Sequence, residues 1–426
     1  MAKSPKQVTI RTYQVGFGDC FLLSFQYAGN VEKHVLIDFG TTKLPPKAPK
    51  SRMLDIANDI ARRTKGKLHA VVATHRHADH ISGFATVKSG KGSGDVIRGL
   101  KPAFVAQPWT EDPKLGPNAK APPNRAGDKK HIAALSAMHD VARQSFRIGR
   151  NARYLGKELR EQLSFLGEDN ISNPSAVRNL MTMGKKQLYL KAGDKAAFDK
   201  DLGVKVHVLG PPTLKQTDTI AKQRSRDPNE FWQFRAAAAR ATVPVFDGRP
   251  APLFPRHVAS KGPTYPIEAR WLIYRARNMQ GTQMLEIVRS LDKAMNNTSV
   301  ILVFEMGGKR LLFPGDAQIE NWQYALSKKA NQSLLASVNV YKVGHHGSLN
   351  ATPVSLWKKF KNKSTKGGKK RLDALMSTLE GKHGDEDSST EVPRRTLVSA
   401  LKANTNLFTT QSLKGKTFFH DTVVAL

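Results

Sequence analysis

Three histidines and an aspartate fall within six residues, His75-Arg76-His77-Ala78-Asp79-His80, directly after an apolar run that ends at Thr74. Imidazole and carboxylate are side chains that hold zinc, manganese or iron at neutral pH. Four such groups this close can serve two ions. Two adjacent cations polarise an ester and make hydroxide from water. A lone histidine beside a strand is ordinarily structural. Here 13 histidines are spread over 426 residues, so three in one hexapeptide point to metal instead.

Two further motifs stand where apolar strands are expected to end. One is Phe313-Pro314-Gly315-Asp316, and the other is Tyr341-Lys342-Val343-Gly344-His345-His346-Gly347-Ser348. In layered α/β proteins functional groups collect where strands give way to loops. Alone, Gly-Asp is a common turn. In this order behind the first cluster, the three motifs read as parts of one site.

The elements that must position them are α/β in rhythm. Val8–Val15 alternates apolar and polar residues as a half-buried strand does. After the turn Gly16–Asp19, Cys20–Tyr27 and His34–Ile37 are read as strands, antiparallel and at a sheet edge. A helix is expected near Met53–Arg63, then a strand Ala70–Thr74. Residues 101–200 and 213–280 read as insertions in a single domain spanning 1–426, with helices near 131–147, 151–166 and 230–241. Between them Val204–Leu209 is a strand. A helix near 282–295 leads to strands Ser299–Glu305 and Arg310–Phe313, a helix Ala317–Lys329 and a buried strand Val338–Val343. Ala374–Ser377 is a strand, Arg394–Lys402 a helix, and 407–410, 416–419 and 422–426 short strands. The two halves are expected to pack as two sheets with helices outside.

Composition bounds the setting. The single cysteine, Cys20, excludes a disulfide framework and a cysteine-based zinc site, and fits a reducing cytosol. The N-terminus lacks an apolar signal core, and no stretch approaches the ~18–20 apolar residues of a membrane span. A cytoplasmic chain is therefore expected. Lys and Arg number 68 against 35 acidic residues, a net charge of +33. Such an excess attracts polyanions, and nucleic acid is the expected partner. An acidic protein, an anionic lipid headgroup or a merely solubilising basic surface are the alternatives.

The run Lys358–Arg371 holds eight positive charges and no negative one. It begins ten residues after Ser348 and is expected beside the metal edge, with Ser348, Lys358, Lys359, Lys361 and Lys363 as substrate-binding candidates. A solvated loop explains it equally well. Arg224, Arg226, Phe231, Trp232, Phe234 and Arg235 interleave charge and aromatics, as a base-stacking surface or the packed face of a helix would. Ser377–Asp387, with Lys382 and His383, is a polar loop to which no role is assigned.

The ordered set His-x-His-x-Asp-His, Gly-Asp after a strand, and a late histidine resembles the metallo-β-lactamase superfamily. It is most similar to the branch that includes the nuclease domain of the bacterial DNA-uptake competence channel. The similar segments are Val15–Asp19, Leu36–Phe39, Thr74–Gly83, Asn296–Ser299, Leu312–Ala317 and Val343–Ser348. The resemblance implies a four-layer αββα sandwich with two divalent metal ions, zinc or manganese, at one edge. It implies that His75 and His77 hold the first metal, that Asp79 and His80 hold the second, and that Asp316 bridges them. One of His345 and His346 completes the second site and the other faces substrate. Asp38, and less distinctively Asp19, would brace the ligands from outside.

One departure stands out. Where many members carry a third histidine for the first metal, this chain reads Met295-Asn296-Asn297-Thr298-Ser299. Water or Asn297 would then complete that site, which favours a labile ion such as manganese over tight zinc. His207 is a remoter substitute.

The function expected is a metallo-hydrolase, a two-metal phosphodiesterase or nuclease acting on DNA or RNA. Asp79 or the free histidine of the His345/His346 pair would relay the proton. The alternatives are a hydrolase of a small ester (a cyclic nucleotide, phosphocholine or lactone) and a non-catalytic basic binding protein on this scaffold.

Overall fold

The computed structural model of the chain describes residues 4–112, 114, 144–152, 155–169, 173–217, 295–348, 352–368, 370–382 and 391–426, with 275, 278–279, 281–286 and 288. The expected helix at 230–241, the aromatic and arginine cluster at 224–235, and His383 lie outside the described residues.

Among the described residues two sheets form. The first has the order β13-β1-β2-β3-β4-β5-β6. Its strands are β1 (Gln7–Tyr13), β2 (Cys20–Gln26), β3 (Glu32–Phe39), β4 (Ala70–Val72), β5 (Phe104–Pro108), β6 (Lys186–Leu190) and β13 (Phe419–Ala425). The second has the order β12-β11-β10-β9-β8-β7. Its strands are β7 (Lys205–Gly210), β8 (Ile301–Met306), β9 (Lys309–Phe313), β10 (Val340–Lys342), β11 (Asp373–Met376) and β12 (Asn406–Thr409).

Period-two alternation builds the layers. Val8, Ile10, Phe21, Leu23, Phe25 and Val35 of the first sheet join Leu302, Phe304, Leu311 and Phe313 of the second in one apolar cluster between the sheets. The intervening Leu22, Leu36 and Val71 point outward, to Ile56 and Ile60 of the helix Arg52–Arg63 and to Ile97. On the second sheet Ile301, Val303, Leu312 and Tyr341 face Trp322, Leu335, Leu356 and Leu401 on its covering helices. This is the αββα sandwich. Among the described residues no helix is long and apolar enough to cross a membrane.

Three expectations change. First, β1 is not an edge strand. The C-terminal β13 pairs with it, Gln7 opposite Ala425 and Tyr13 opposite Phe419, and reads as one strand where two short ones were expected. Arg11 locks this pairing through Asp421 and Asp59, with its guanidinium 3.6 Å above the Phe419 ring. Second, residues 101–200 are not all outside the core. They supply β5 and β6, which extend the parallel run from β4. Third, the helix expected at Ala317–Lys329 is two helices, Ile319–Ser327 and Lys329–Ala336, which part at the extended backbone of Lys328.

Candidate metal centre

The strands from β3 to β6 are parallel, and so are those from β9 to β12. Asp38 lies at the C-terminal end of β3, and Thr74 and His75 follow β4. Asp316 follows β9, His345 and His346 follow β10, and Ser377 follows β11. Parallel pairing thus gathers three separate motifs at one end of the sandwich.

The hexapeptide is a short turn of backbone. His75 and His77 lie in the loop, and Ala78–Ile81 is a single helical turn. That turn lies directly on the first sheet's strand ends. Gly40 makes the approach possible, because a Cβ there would stand 2.4 Å from the Asp79 carbonyl carbon and the His80 nitrogen. The Asp19 amide donates to the Asp79 carbonyl at 3.0 Å and fixes the turn.

Three groups of buried ligand atoms result among the described residues, each drawn within 4.8 Å; Asp19, Asp38 and His80 form one, and the other two share Asp79. Of these two, one is Asp79, His80, Asp316 and His346, and the other is His75, His77 and Asp79; Asp316, expected to bridge both sites, falls only in the former, and Asp79, expected in the second site alone, falls in both. His346 Nε2 lies 2.8 Å from Asp79 Oδ2 and 3.6 Å from Asp316 Oδ2. His80 Nε2 lies 3.1 Å from Asp316 Oδ2. His75 Nε2 lies 3.0 Å from His77 Nδ1.

The last two histidines differ in burial and direction. His346 is fully buried and its ring packs 4.4 Å from Phe17, while His345 is 24% exposed, its Nε2 4.0 Å from Asp316 Oδ2. Both have left-handed backbone, φ 42° and 52°. That conformation is unusual for residues with a Cβ and recurs at functional sites. Here it sends consecutive rings in different directions.

Outer partners set which nitrogen faces the centre. Asp38, itself at φ 54°, accepts from the Thr74 amide at 2.7 Å and the Thr74 hydroxyl at 2.8 Å, and lies 2.9 Å from His80 Nδ1. His346 Nδ1 lies 3.0 Å from the Ser377 carbonyl. Each arrangement occupies Nδ1 and leaves Nε2 for a cation, the pattern that fixes ligating histidines. Ser377 also donates from its hydroxyl to the Gly18 carbonyl at 2.5 Å, tying the second sheet to the Gly16–Asp19 turn.

The electrostatics fit a cation. Asp79 Oδ1 is buried without a hydrogen-bond partner, and His80 Nε2 and Asp316 Oδ2, 3.1 Å apart, have none beyond each other. Unpaired buried polar atoms are costly, and a divalent ion would satisfy all three. Burial, then the charges of His80 and His77, hold His75 well below its ordinary pKa, in the neutral form that ligates. Burial opposes charge on His80 and His346, but the surrounding carboxylates overcome it and raise both. Burial opposes ionisation of Asp316 and Asp79 too, yet His80 and its neighbours keep both carboxyls depressed. Bound cations would take over the role of those protons.

Lys342 was missed. Its ammonium is buried between Asp19 and Asp316, 3.4 Å from Asp316 Oδ1 and 3.2 Å from the Gly315 carbonyl. With the His345 amide, which donates at 3.0 Å, it occupies Oδ1 of Asp316 and leaves Oδ2 facing the histidines. A lysine between Tyr341 and Val343 in a wholly buried strand was the available signal. Asp19 lies behind the cluster, 3.7 Å from His80 Nδ1 and 3.6 Å from His346 Nδ1.

Other candidates are placed elsewhere. The Asn297 side chain donates to Glu320 at 2.8 Å and receives the Asn321 amide at 3.4 Å, so it is committed away from the histidines. His207 pairs with Glu305 at 2.7 Å on β7. Ser348 lies beside the centre, its hydroxyl 2.8 Å from His345 Nδ1.

The described part of the run Lys358–Arg371 does not join the site. Parallel β10 and β11 need a connection that returns to the strand starts. The helix Val354–Lys359 makes that return. Lys359 then bonds Gln332 at 2.7 Å, and the Lys361 amide bonds the Ala336 carbonyl before β10 at 2.9 Å. Lys363 packs 4.4 Å over the Trp357 ring. Lys358, Lys359, Lys361 and Lys363 therefore lie toward the opposite end of the strands.

Residues 13–129 match the family model described as the metallo-beta-lactamase superfamily, which supports membership of that superfamily. No curated protein matches the chain. The domain match and the buried His/Asp cluster together suggest a metal-dependent hydrolase.

Proposed function

We propose that this protein is a two-metal phosphodiesterase, a nuclease acting on DNA or RNA, as its motifs' similarity to the competence-channel nuclease branch implies. The observation that carries the reading is the pair of buried ligand groups joined through Asp79. A pure binding protein has no need of such a centre. The net charge of +33 favours a polyanionic substrate over a small ester.

The residues divide the work. Asp79, His80, Asp316 and His346 would hold one ion, and His75, His77 and Asp79 the other. Such ions supply an activated water and neutralise charge on the phosphoryl oxygens. Asp38 and the Ser377 carbonyl hold the imidazoles in register. His345 is partly exposed, with Ser348 on its Nδ1, and would pass a proton to the departing oxygen through Nε2. The stretches 101–200 and 213–280 would govern access; the helix Lys157–Asp169 already packs on the Ala78–Ile81 turn.

The test is cleavage of single- and double-stranded DNA and RNA in Mn²⁺, Zn²⁺ or Mg²⁺, beside an Asp79→Ala/His80→Ala control. Cleavage by the wild type alone supports the reading and identifies the substrate. Binding without cleavage under any metal sinks the nuclease. Neither binding nor cleavage, with turnover of a lactone or cyclic nucleotide, makes it a small-ester hydrolase.

A further inference from the structure

The strand ends opposite the metal centre carry their own chemistry. Lys309 opens β9, Lys370 and Arg371 immediately precede β11, and Lys402 lies near the end of the helix Arg395–Asn404 that leads into β12. Backbone bonds draw these segments together. The Ser364 amide bonds the Asn404 carbonyl at 3.0 Å, the Leu372 amide bonds the Asn362 carbonyl at 2.8 Å, and Arg371 reaches the Lys402 carbonyl at 3.3 Å. Lys361, Lys366, Lys370 and Lys402 are exposed. The carboxylates at this end are already engaged, Asp373 by Asn406 at 2.8 Å and Glu305 by Arg310 and His207. Asp373 also faces Lys309, so it is the exposed Lys361, Lys366, Lys370 and Lys402 that outnumber the carboxylates described at this end, on a surface whose backbone is held in place.

We propose that this lysine end is a second nucleic-acid contact, separate from the metal centre, which grips phosphate backbone without reading sequence and anchors a polymeric substrate. The proposal rests on the phosphodiesterase reading only for its substrate class. Fixed lysines that present ammonium groups to solvent position a polyanion and carry no base information. A lipid surface fits less well, because membrane-binding faces add apolar side chains to the basic ones. None of the exposed large hydrophobics falls in the described part of 361–373. The two ends are roughly 15–20 Å apart at about 3.3 Å per strand residue. A duplex spans about 34 Å per turn, so one turn is long enough to touch both.

The experiment compares the full-length wild type with the Lys309→Ala/Lys366→Ala/Lys370→Ala/Lys402→Ala variant. Binding of labelled 8- and 24-nucleotide DNA, single-stranded and duplex, is measured in EDTA against salt. Hydrolysis of bis(p-nitrophenyl) phosphate in Mn²⁺ is measured in parallel. The expected result is at least about a tenfold loss of affinity for the longer DNA and a salt slope shallower by roughly 3. Small-diester turnover should be unchanged, and a Lys→Arg variant at the same four positions should bind as wild type does. Equal affinity and slope for wild type and alanine variant would overturn the proposal. So would binding to vesicles of phosphatidylserine and phosphatidylcholine with none to DNA. If the wild type hydrolyses no diester, the catalytic reading fails by itself, and the binding comparison still decides this one.

Discussion

At the C-terminal ends of β3, β4, β9, β10 and β11 the ionisable groups are buried and define one another's positions. Asp38 lies 2.9 Å from His80, the Ser377 carbonyl 3.0 Å from His346, and Lys342 reaches both Asp19 and Asp316. Ahead of β11 and β12, Lys366, Lys370 and Lys402 stand in water, and Lys309 at the start of β9 is half-buried. The difference follows from solvation. Taking a charge out of water costs several kcal/mol per ion unless partners answer it, so a buried cluster tolerates few substitutions. An exposed lysine pays no such penalty and can be exchanged or lost. The first end should fail sharply on single changes, and the second should fade gradually.

The sharpest test of that contrast is a ligand. Asp316→Asn or His80→Ala should reduce metal affinity by more than the ~100-fold that outer partners typically contribute, and should abolish hydrolysis. Calorimetric titration of Zn²⁺ or Mn²⁺ measures this. Near wild-type affinity would dissolve the idea of a buried metal end. Next come the adjacent histidines. His346→Ala should lose metal. His345→Ala should keep its metal affinity and lose about 10²–10⁴-fold in turnover, the range typical of a general acid. Equal metal loss in both would mean that their opposed orientations do not divide their roles.

Asp38→Asn tests the outer layer. It should weaken metal binding about 10–100-fold while the sandwich remains folded by circular dichroism. Unchanged affinity would show that Thr74 and the turn hold His80 unaided.

A separate effect concerns stability. His34 in β3 is buried against Ser24, and burial, reinforced by Arg63, lowers its pKa to about 4. The unfolded chain, with a value near 6.5, therefore binds this proton first. The stabilisation is complete above about pH 6.5 and is lost as the pH falls through about 4. It is worth about 3 kcal/mol. Urea denaturation of wild type and His34→Leu at pH 7 and pH 4 should show the variant losing less on acidification. Parallel losses would remove His34 from the account. The smallest effect is expected at the lysine end, where Lys366→Ala alone should lower the salt slope of DNA binding by about 0.9.

Much of this was legible in the chain. Alternation in Val8–Tyr13 and Cys20–Gln26 marked strands and their faces, because a side-chain period of two is a local property. Ligand types and spacing marked His75–His80, Asp316 and the His345/His346 pair as one chemistry. The pairing of β13 with β1 was not legible, since it joins residues about 410 apart and leaves no local trace. The placement of the basic run was misread by counting residues from Ser348. A parallel connection must return to the strand start, so closeness in sequence put Lys361–Arg371 far away in space. His383 and the cluster at 224–235 lie outside the described residues.

By itself, then, the sequence determined the layers, the candidate ligand types and the charge, because residue type and short-range periodicity are enough for these. Tertiary structure alone decided that His346 is buried against Asp79 while His345 is partly exposed, that Asn297 is spoken for by Glu320 and Asn321, and that Lys342 sits against Asp316. It also decided that the lysines occupy the opposite end. These are matters of direction, and a side chain's direction depends on backbone handedness and strand order, which no single segment of the chain contains.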